Sequence, residues 1–218
     1  MNSDSYKFTS NEFLSLLLSG NRLKCSEFVR NFIYNGNSIN ELYENILKKS
    51  LYDLGELWEF NKISVASEHL ASAIVETILN EAYSNIIPKE VYNKTVIVSC
   101  VENEFHQIGI KMISDVFEMN GWNSHFLGAN TPNSELISFA KIIKPDMLAI
   151  STSIYFHLPV LEEMIKLIRK EFPELPILVG GQAFRHGGQN MLLKYDNVIF
   201  KQDLNSTELF IKSLNKNG

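Results

Sequence analysis

The chain has 218 residues, 45% of them hydrophobic and 21% charged, enough for one large cored domain or two modest ones. Its formal net charge of −5 and the absence of a Lys/Arg run argue against unaided binding to nucleic acid or to an anionic membrane.

From the N-terminus the apolar residues recur at helical spacing. The first residues lack the basic stretch, apolar stretch and small-residue cleavage site of a secretory leader. Thr9-Ser10-Asn11-Glu12 reads as a capping box before Phe13, Leu14, Leu16, Leu17 and Leu18, and Gly20 stops that helix. The apolar stretch 13–18 is far too short to span a bilayer. Leu23, Phe28, Phe32 and Ile33 mark a second helix, ended by Asn35-Gly36. Ser38-Ile39-Asn40-Glu41 is a clearer capping box. It opens a long helix with Leu42, Ile46, Leu47, Leu51, Leu54 and Trp58 on one broad stripe. Ser64 or Ser67 opens a fourth helix through Leu70, Ile74, Ile78 and Tyr83. Pro88 and the polar residues around it mark the domain boundary. Cys25 and Cys100 sit far apart in apolar contexts and read as buried reduced thiols, with the cytoplasm as the default location.

From Lys94 the period changes. Apolar runs at 95–100, 124–127, 147–151, 177–179 and 198–200 alternate with helical segments at 107–120, 133–143, 159–171, 187–194 and 206–214. Thr131-Pro132 is a cap followed by proline at the first helical position. The expected fold is α plus α/β. A four-helix bundle over residues 8–88 precedes a flavodoxin-like, Rossmann-type domain over 92–216 with a five-stranded parallel sheet. Strand order 2-1-3-4-5 puts the topological switch point between strands one and three.

Three motifs fall where strands one, three and four end, the edge at which open parallel sheets bind ligands: Glu104-Phe105-His106-Gln107-Ile108-Gly109, Ser151-Thr152-Ser153 and Gly180-Gly181. His106 is placed at the start of the helix after strand one. Imidazole is the commonest protein ligand for mid-transition metals, and Glu104 is near enough to orient it. Gly109 allows close approach by something flat or bulky. One imidazole is a poor site for a free ion but a good one for a metal already held by a macrocycle. Ser151 can hydrogen-bond a buried ring nitrogen or a phosphate, and Gly180-Gly181 leave room for an inserted tail. Taken singly each motif has a plain structural reading: a turn for the glycine pair, a cap for the serine, packing for the histidine. His157 and His186 follow strands three and four and could border a ligand edge, as could Tyr155 and Phe156. His125 reads as packing or surface.

Taken together, the motifs carry more. Between Gly109 and Ser151 lie 41 residues, and between Ser153 and Gly180 lie 26. In this spacing residues 90–215 resemble the cobalamin (vitamin B12)-binding domains that carry Asp-x-His-x-x-Gly, Ser-x-Leu and Gly-Gly. The resemblance implies a base-off, His-on corrinoid with His106 as lower axial cobalt ligand. The displaced nucleotide tail would run between Ser151 and Gly180-Gly181. Glu104 stands where most of that family has Asp, and Ser153 where many have Leu. The first keeps the carboxylate; the second changes only the tail packing.

The preceding bundle adds Trp58, Glu68 and His69. Trp58 closes the third helix and the Glu68-His69 pair lies early on the fourth, so a short turn puts them near one end of the bundle. Their plain reading is core, solvated charge and surface histidine. The pattern Trp-x9-Glu-His resembles the cap of the CarH/LitR-type B12 photoreceptors, which also favour Glu-x-His-x-x-Gly. That resemblance implies adenosylcobalamin as cofactor and no catalytic residues. Trp58 would shield the adenosyl group, Glu68 would hold it, and His69 would bind cobalt once light breaks the cobalt–carbon bond. With a bundle starting in the first dozen residues, the chain is expected to be the sensory half of such a receptor, without the MerR-like DNA-binding domain. Its output would then pass through self-association or a separate regulatory protein. The competing readings are a corrinoid methyl carrier of a methyltransferase system and a cobalamin carrier or storage module.

Overall fold

Helix signals dominate the first third of the chain, and a computed structural model describing residues 8–88 and 90–216 shows the helices they produce. Helix α1 (Ser10–Leu18) is capped by the Thr9 hydroxyl, which accepts from the Glu12 amide at 3.2 Å. Helix α2 (Arg22–Tyr34) follows Gly20, whose φ of +65° suits a residue with no Cβ. The third helical segment is continuous but not uniform. Helix α3 (Ile39–Glu41) passes into a π-helical stretch (Leu42–Leu47) and then α4 (Lys48–Glu59). The Ser38–Glu41 capping box forms in both directions: the Ser38 amide donates to Glu41 Oε2 at 2.8 Å, and the Glu41 amide to Ser38 Oγ at 3.2 Å. The π-helical turn widens the helix, so the buried row Leu42, Tyr43, Ile46 and Leu47 continues into Ser50 and Leu54. The stripe ends there. Trp58, expected on it, is 51% exposed. Helix α5 (Val65–Tyr83) is capped by Ser64 rather than Ser67, and buries Ile74, Val75, Ile78 and Leu79. Each such side chain stabilises the core by roughly 1.5–3 kcal/mol of transfer free energy.

The described chain divides into two compact units between Ile86 and Ile87; Lys89, beside the expected boundary at Pro88, lies outside the described residues. In the second unit the sheet contains β1 (Thr95–Cys100), β2 (Asn123–Gly128), β3 (Met147–Ser151), β4 (Ile177–Gly180) and β5 (Val198–Phe200). All pairings are parallel, in the order β2-β1-β3-β4-β5. Helices α6 (Ile108–Met119), α7 (Asn133–Ile143), α8 (Leu158–Glu171) and α9 (Leu204–Lys216) make the connections or close the chain. The central strands read as nearly unbroken apolar runs because both faces are covered: all five residues of β3 are buried.

Three local expectations change. The cap of α7 is Pro132 itself, at φ −60° and ψ 140°, and not Thr131. The helix starts one residue late because Pro132 supplies the first acceptor, its carbonyl taking the Leu136 amide at 3.0 Å. The segment 187–194 is not an α-helix: its only helical part is the 3₁₀ turn Gln189–Lys194, which follows a separate 3₁₀ turn at Gln182–His186. Gly187 and Gly188, with φ of +105° and +96°, break the run between them. His106 precedes α6 by two residues and lies in the loop. Among the described residues no helix is long and apolar enough to cross a membrane.

Candidate cofactor site

Strand β1 ends at Cys100, and its partner across the switch point, β3, ends at Ser151, which pairs with both Cys100 and Gly180. The loops leaving β1 and β3 therefore start side by side. Between them sits Glu104, with no exposed surface at all. A buried carboxylate is costly unless its oxygens are filled. Here they are: Oε1 accepts from the His106 amide at 3.1 Å and from His106 Nδ1, while Oε2 accepts from the amides of Ser153 at 2.9 Å and Ile154 at 3.0 Å. Burial pushes this carboxyl up. The His106 side chain and the Ile154, Ser153 and His106 amides outweigh burial and hold it at about 2.

The loop is tied from its other side as well. Asn130, at φ +48°, donates its amide to the Glu104 carbonyl at 2.8 Å and accepts the Asn103 amide at 2.9 Å. Gln107 turns its side-chain oxygen to the Ala129 amide at 3.2 Å, so it braces the loop against the end of β2. Cys100 lies under this loop with Sγ 3.6 Å from the His106 carbonyl; burial, helped by the Glu104 carboxylate, pushes its thiol up to about 12. It remains a thiol, not a metal-ligating thiolate.

The result is an imidazole held rigidly yet presented outward, with 62% of the His106 side chain exposed. With Nδ1 on the carboxylate, Nε2 is the nitrogen with the lone pair for a metal. Phe105 is exposed beside it, Ile108 opens α6, and a Cβ on Gly109 would meet nothing within 4 Å. At the end of β4 the neighbouring backbone leaves no room for side chains. A Cβ on Gly181 would lie 2.1 Å from the Thr152 carbonyl oxygen and 2.9 Å from Ser151 Oγ, and one on Gly180 would lie 3.0 Å from the Lys201 carbonyl oxygen. Ser151 is buried, and Ser153 contributes its amide to Glu104. Among the described residues no group of three or more His, Cys, Asp or Glu side chains is arranged to hold a metal ion. A metal on His106 must bring its other ligands with it, which suits a macrocycle-bound cobalt.

The six-residue Glu104–Gly109 motif, Ser151, Ser153 and Gly180-Gly181 all lie at this strand edge. Trp58, Glu68 and His69 belong to the other unit. Trp58 is in the last turn of α4, and Glu68 and His69 are in the first turns of α5, which begins at Val65 after a short turn. Glu68 Oε1 accepts from Ser72 Oγ at 2.7 Å, and its Oε2 lies 3.6 Å from His69 Nε2. His157 joins the strand-edge cluster through a contact that sequence reasoning missed: its Nδ1 is 3.2 Å from Glu104 Oε2. Its position just after a strand end is the one signal that pointed to it. His186 packs its ring edge-on against Tyr155 at 6.3 Å, and His125 does the same with Phe139 at 5.8 Å.

An open parallel sheet with one carboxylate-oriented imidazole at its switch point and a glycine pair at the end of the next strand but one is an arrangement that suits a metal carried by its own macrocycle. The chain belongs to the B12-binding domain family, whose models match residues 94–204 and 9–95, and it is a cobalamin-binding protein. It is 28% identical over 144 residues to the HTH-type transcriptional repressor CarH of Myxococcus xanthus, covering 66% of this chain and 48% of that protein. It is 26% identical over 127 residues to the repressor CarA of the same organism, covering 57% and 43%. The chain thus spans under half the length of those two relatives. It is also 23% identical over 147 residues to the dimethylamine corrinoid protein 1 of Methanosarcina acetivorans, covering 65% and 68%. In fold it is similar to the Methanosarcina barkeri monomethylamine corrinoid protein, with a TM-score of 0.80 at 12% identity over 93% of this chain and 96% of that one.

Proposed function

We propose that this protein is a light-responsive regulator that binds adenosylcobalamin through His106 and caps it with Trp58, Glu68 and His69. The observation that carries the reading is Trp58. The stripe of the third helical segment, which buries Leu42, Ile46, Leu47 and Leu54, leaves its last member half in water, at the helix end that leads through a short turn to the Glu68-His69 pair of α5. An exposed aromatic plate with a polar rim suits a ligand surface better than a core. The similarity to two transcriptional repressors supports a regulatory output.

When bound, the cofactor supplies a light-labile cobalt–carbon bond. Glu104 fixes the tautomer and direction of the His106 ring. Ser151 and Gly180-Gly181 would take the nucleotide tail. Trp58 would shelter the adenosyl group from water. Glu68, which accepts from Ser72, would accept hydrogen bonds from its hydroxyls. His69, with 74% of its side chain exposed, would be available to ligate the cobalt once the cofactor has responded to light. Losing the Trp58 and Glu68 contacts and gaining one at His69 would provide the differential interaction that a two-state change requires. The acidic chain would pass the signal on by self-association or through a separate regulatory protein.

A second reading is a corrinoid methyl carrier. The match to dimethylamine corrinoid proteins over about two-thirds of their length favours it. In that case Glu104, His106, Ser151, Gly180 and Gly181 keep their roles, while His69 has none.

Illumination separates the two. The chain is loaded with adenosylcobalamin in the dark and exposed to light while absorbance and oligomeric state are recorded. A fast change to a stable bis-imidazole cobalt(III) spectrum, lost in His69→Ala, is expected. A spectrum matching the photolysed cofactor free in solution, unchanged by His69→Ala, overturns the light-sensing reading. His106→Ala should lose the His-on state in either case.

A further inference from the structure

Helix α2 turns Cys25, Phe28, Val29 and Phe32 inward, and all four are buried. Its outer face is less ordinary. Leu23 is 75% exposed and Tyr34 91%, although both are large and mostly apolar. Between them on the same face stand Glu27 and Arg30, exposed as well. At about 100° and about 1.5 Å per residue, the four side chains fall on a stripe about 60° wide and about 17 Å long. Along it the order is apolar, acidic, basic, apolar, with steps of four, three and four residues.

That order is symmetric in spacing and opposite in charge about its own middle. Turned end for end, the stripe meets a second copy of itself with each group opposite its complement. Leu23 falls against the second copy's Tyr34 and Glu27 against its Arg30, and a two-fold axis repeats both contacts. A closed two-fold interface needs this kind of self-complementary patch. Among the described residues the ion pairs include neither Glu27 nor Arg30, so both charges are available across such an axis.

We propose that the outer face of α2 is a homodimer interface, with α2 packed antiparallel on α2 of a second copy about an axis between Glu27 and Arg30. Covering Leu23 with Tyr34 removes apolar surface from water and supplies the attraction. The charges set the register. A parallel alignment, or an antiparallel one slipped by about one turn, puts like charge on like charge. The face uses none of Trp58, Glu68, His69 and His106, so the inference stands apart from the use made of the cofactor.

Exchanging the charges tests it. The full cobalamin-loaded chain and its variants are compared by sedimentation equilibrium over a range of concentrations. We expect a monomer–dimer equilibrium for the wild-type chain. Glu27→Arg introduces two like-charged pairs, as does Arg30→Glu, and each should weaken the dimer by about tenfold or more. An equimolar mixture of these two variants should dimerise again, because each supplies the charge that the other lacks. The double variant Glu27→Arg/Arg30→Glu should recover on its own. Leu23→Ala and Tyr34→Ala should also weaken the dimer. All four positions are exposed, so circular dichroism of the dilute variants should match the wild type. A chain that stays monomeric up to its solubility limit overturns the inference. So does an oligomer that the single charge reversals leave unchanged.

Discussion

Glu104 is the residue on which the most chemistry converges, and its behaviour is testable without any cofactor. Its folded value of about 2 lies below its ordinary 4.5 because it accepts hydrogen bonds that the unfolded chain does not make. A group with a lowered folded value contributes stability above its unfolded value and loses it as pH falls toward the folded one. The cofactor-free protein should therefore lose part of its resistance to urea between about pH 4.5 and about pH 2. Glu104→Gln should remove that component of the slope. At neutral pH the same substitution sets an amide NH₂ among N–H donors and should destabilise the fold by about 1–3 kcal/mol, measured as a lower urea midpoint. The Glu104–His106 pairing was legible in the sequence, since two residues on one loop cannot be far apart. The partnership with His157 was not, because 53 residues separate the two and only the adjacency of β1 and β3 joins them.

At the level of elements, the site consists of strand ends and missing side chains, and its glycines divide into two kinds. Gly181 has φ +116° and no room for a Cβ. Gly181→Ala should destabilise the sheet unit by roughly 1–3 kcal/mol and weaken cobalamin binding as well. Gly109 lies in α6 with open space around it. Gly109→Ala should leave the cofactor-free protein as stable as before, or up to about 1 kcal/mol more stable. If Gly109 faces the corrinoid as proposed, it should weaken cobalamin uptake only, because the new methyl group meets no protein atom within 4 Å. Denaturation and cofactor titration of both variants check the split. Strand and helix positions in this unit were readable because fully covered β-strands are apolar runs and their helices are amphipathic. The two 3₁₀ turns after β4 were not, since Gly187-Gly188 followed by an apolar stretch has the same composition as a helix start. The π-helical stretch Leu42–Leu47 was equally hidden, for it changes the helix width without changing residue type.

For the molecule as a whole, ligand binding is linked to stability. Free cobalamin at about 100 times its dissociation constant should stabilise the fold by about 2.7 kcal/mol. The gain should appear as a higher melting temperature of the sheet unit and should shrink in His106→Ala. A rise in the melting of the bundle on loading with adenosylcobalamin, diminished in Trp58→Ala, would mean that the cap residues engage the ligand; a bundle transition indifferent to the cofactor would argue against them. By itself, the amino-acid sequence determined the bundle followed by a doubly wound sheet, and it placed His106, Ser151 and Gly180-Gly181 at strand ends. Those properties are written in local periodicity and in spacing along the chain. Only the tertiary structure decided what fills the Glu104 carboxylate, that Gln107 braces its own loop, and that Trp58 stands out in water. Those outcomes depend on which distant segments the parallel pairing of β1, β3 and β4 brings together, and on where helix packing runs out of core to bury.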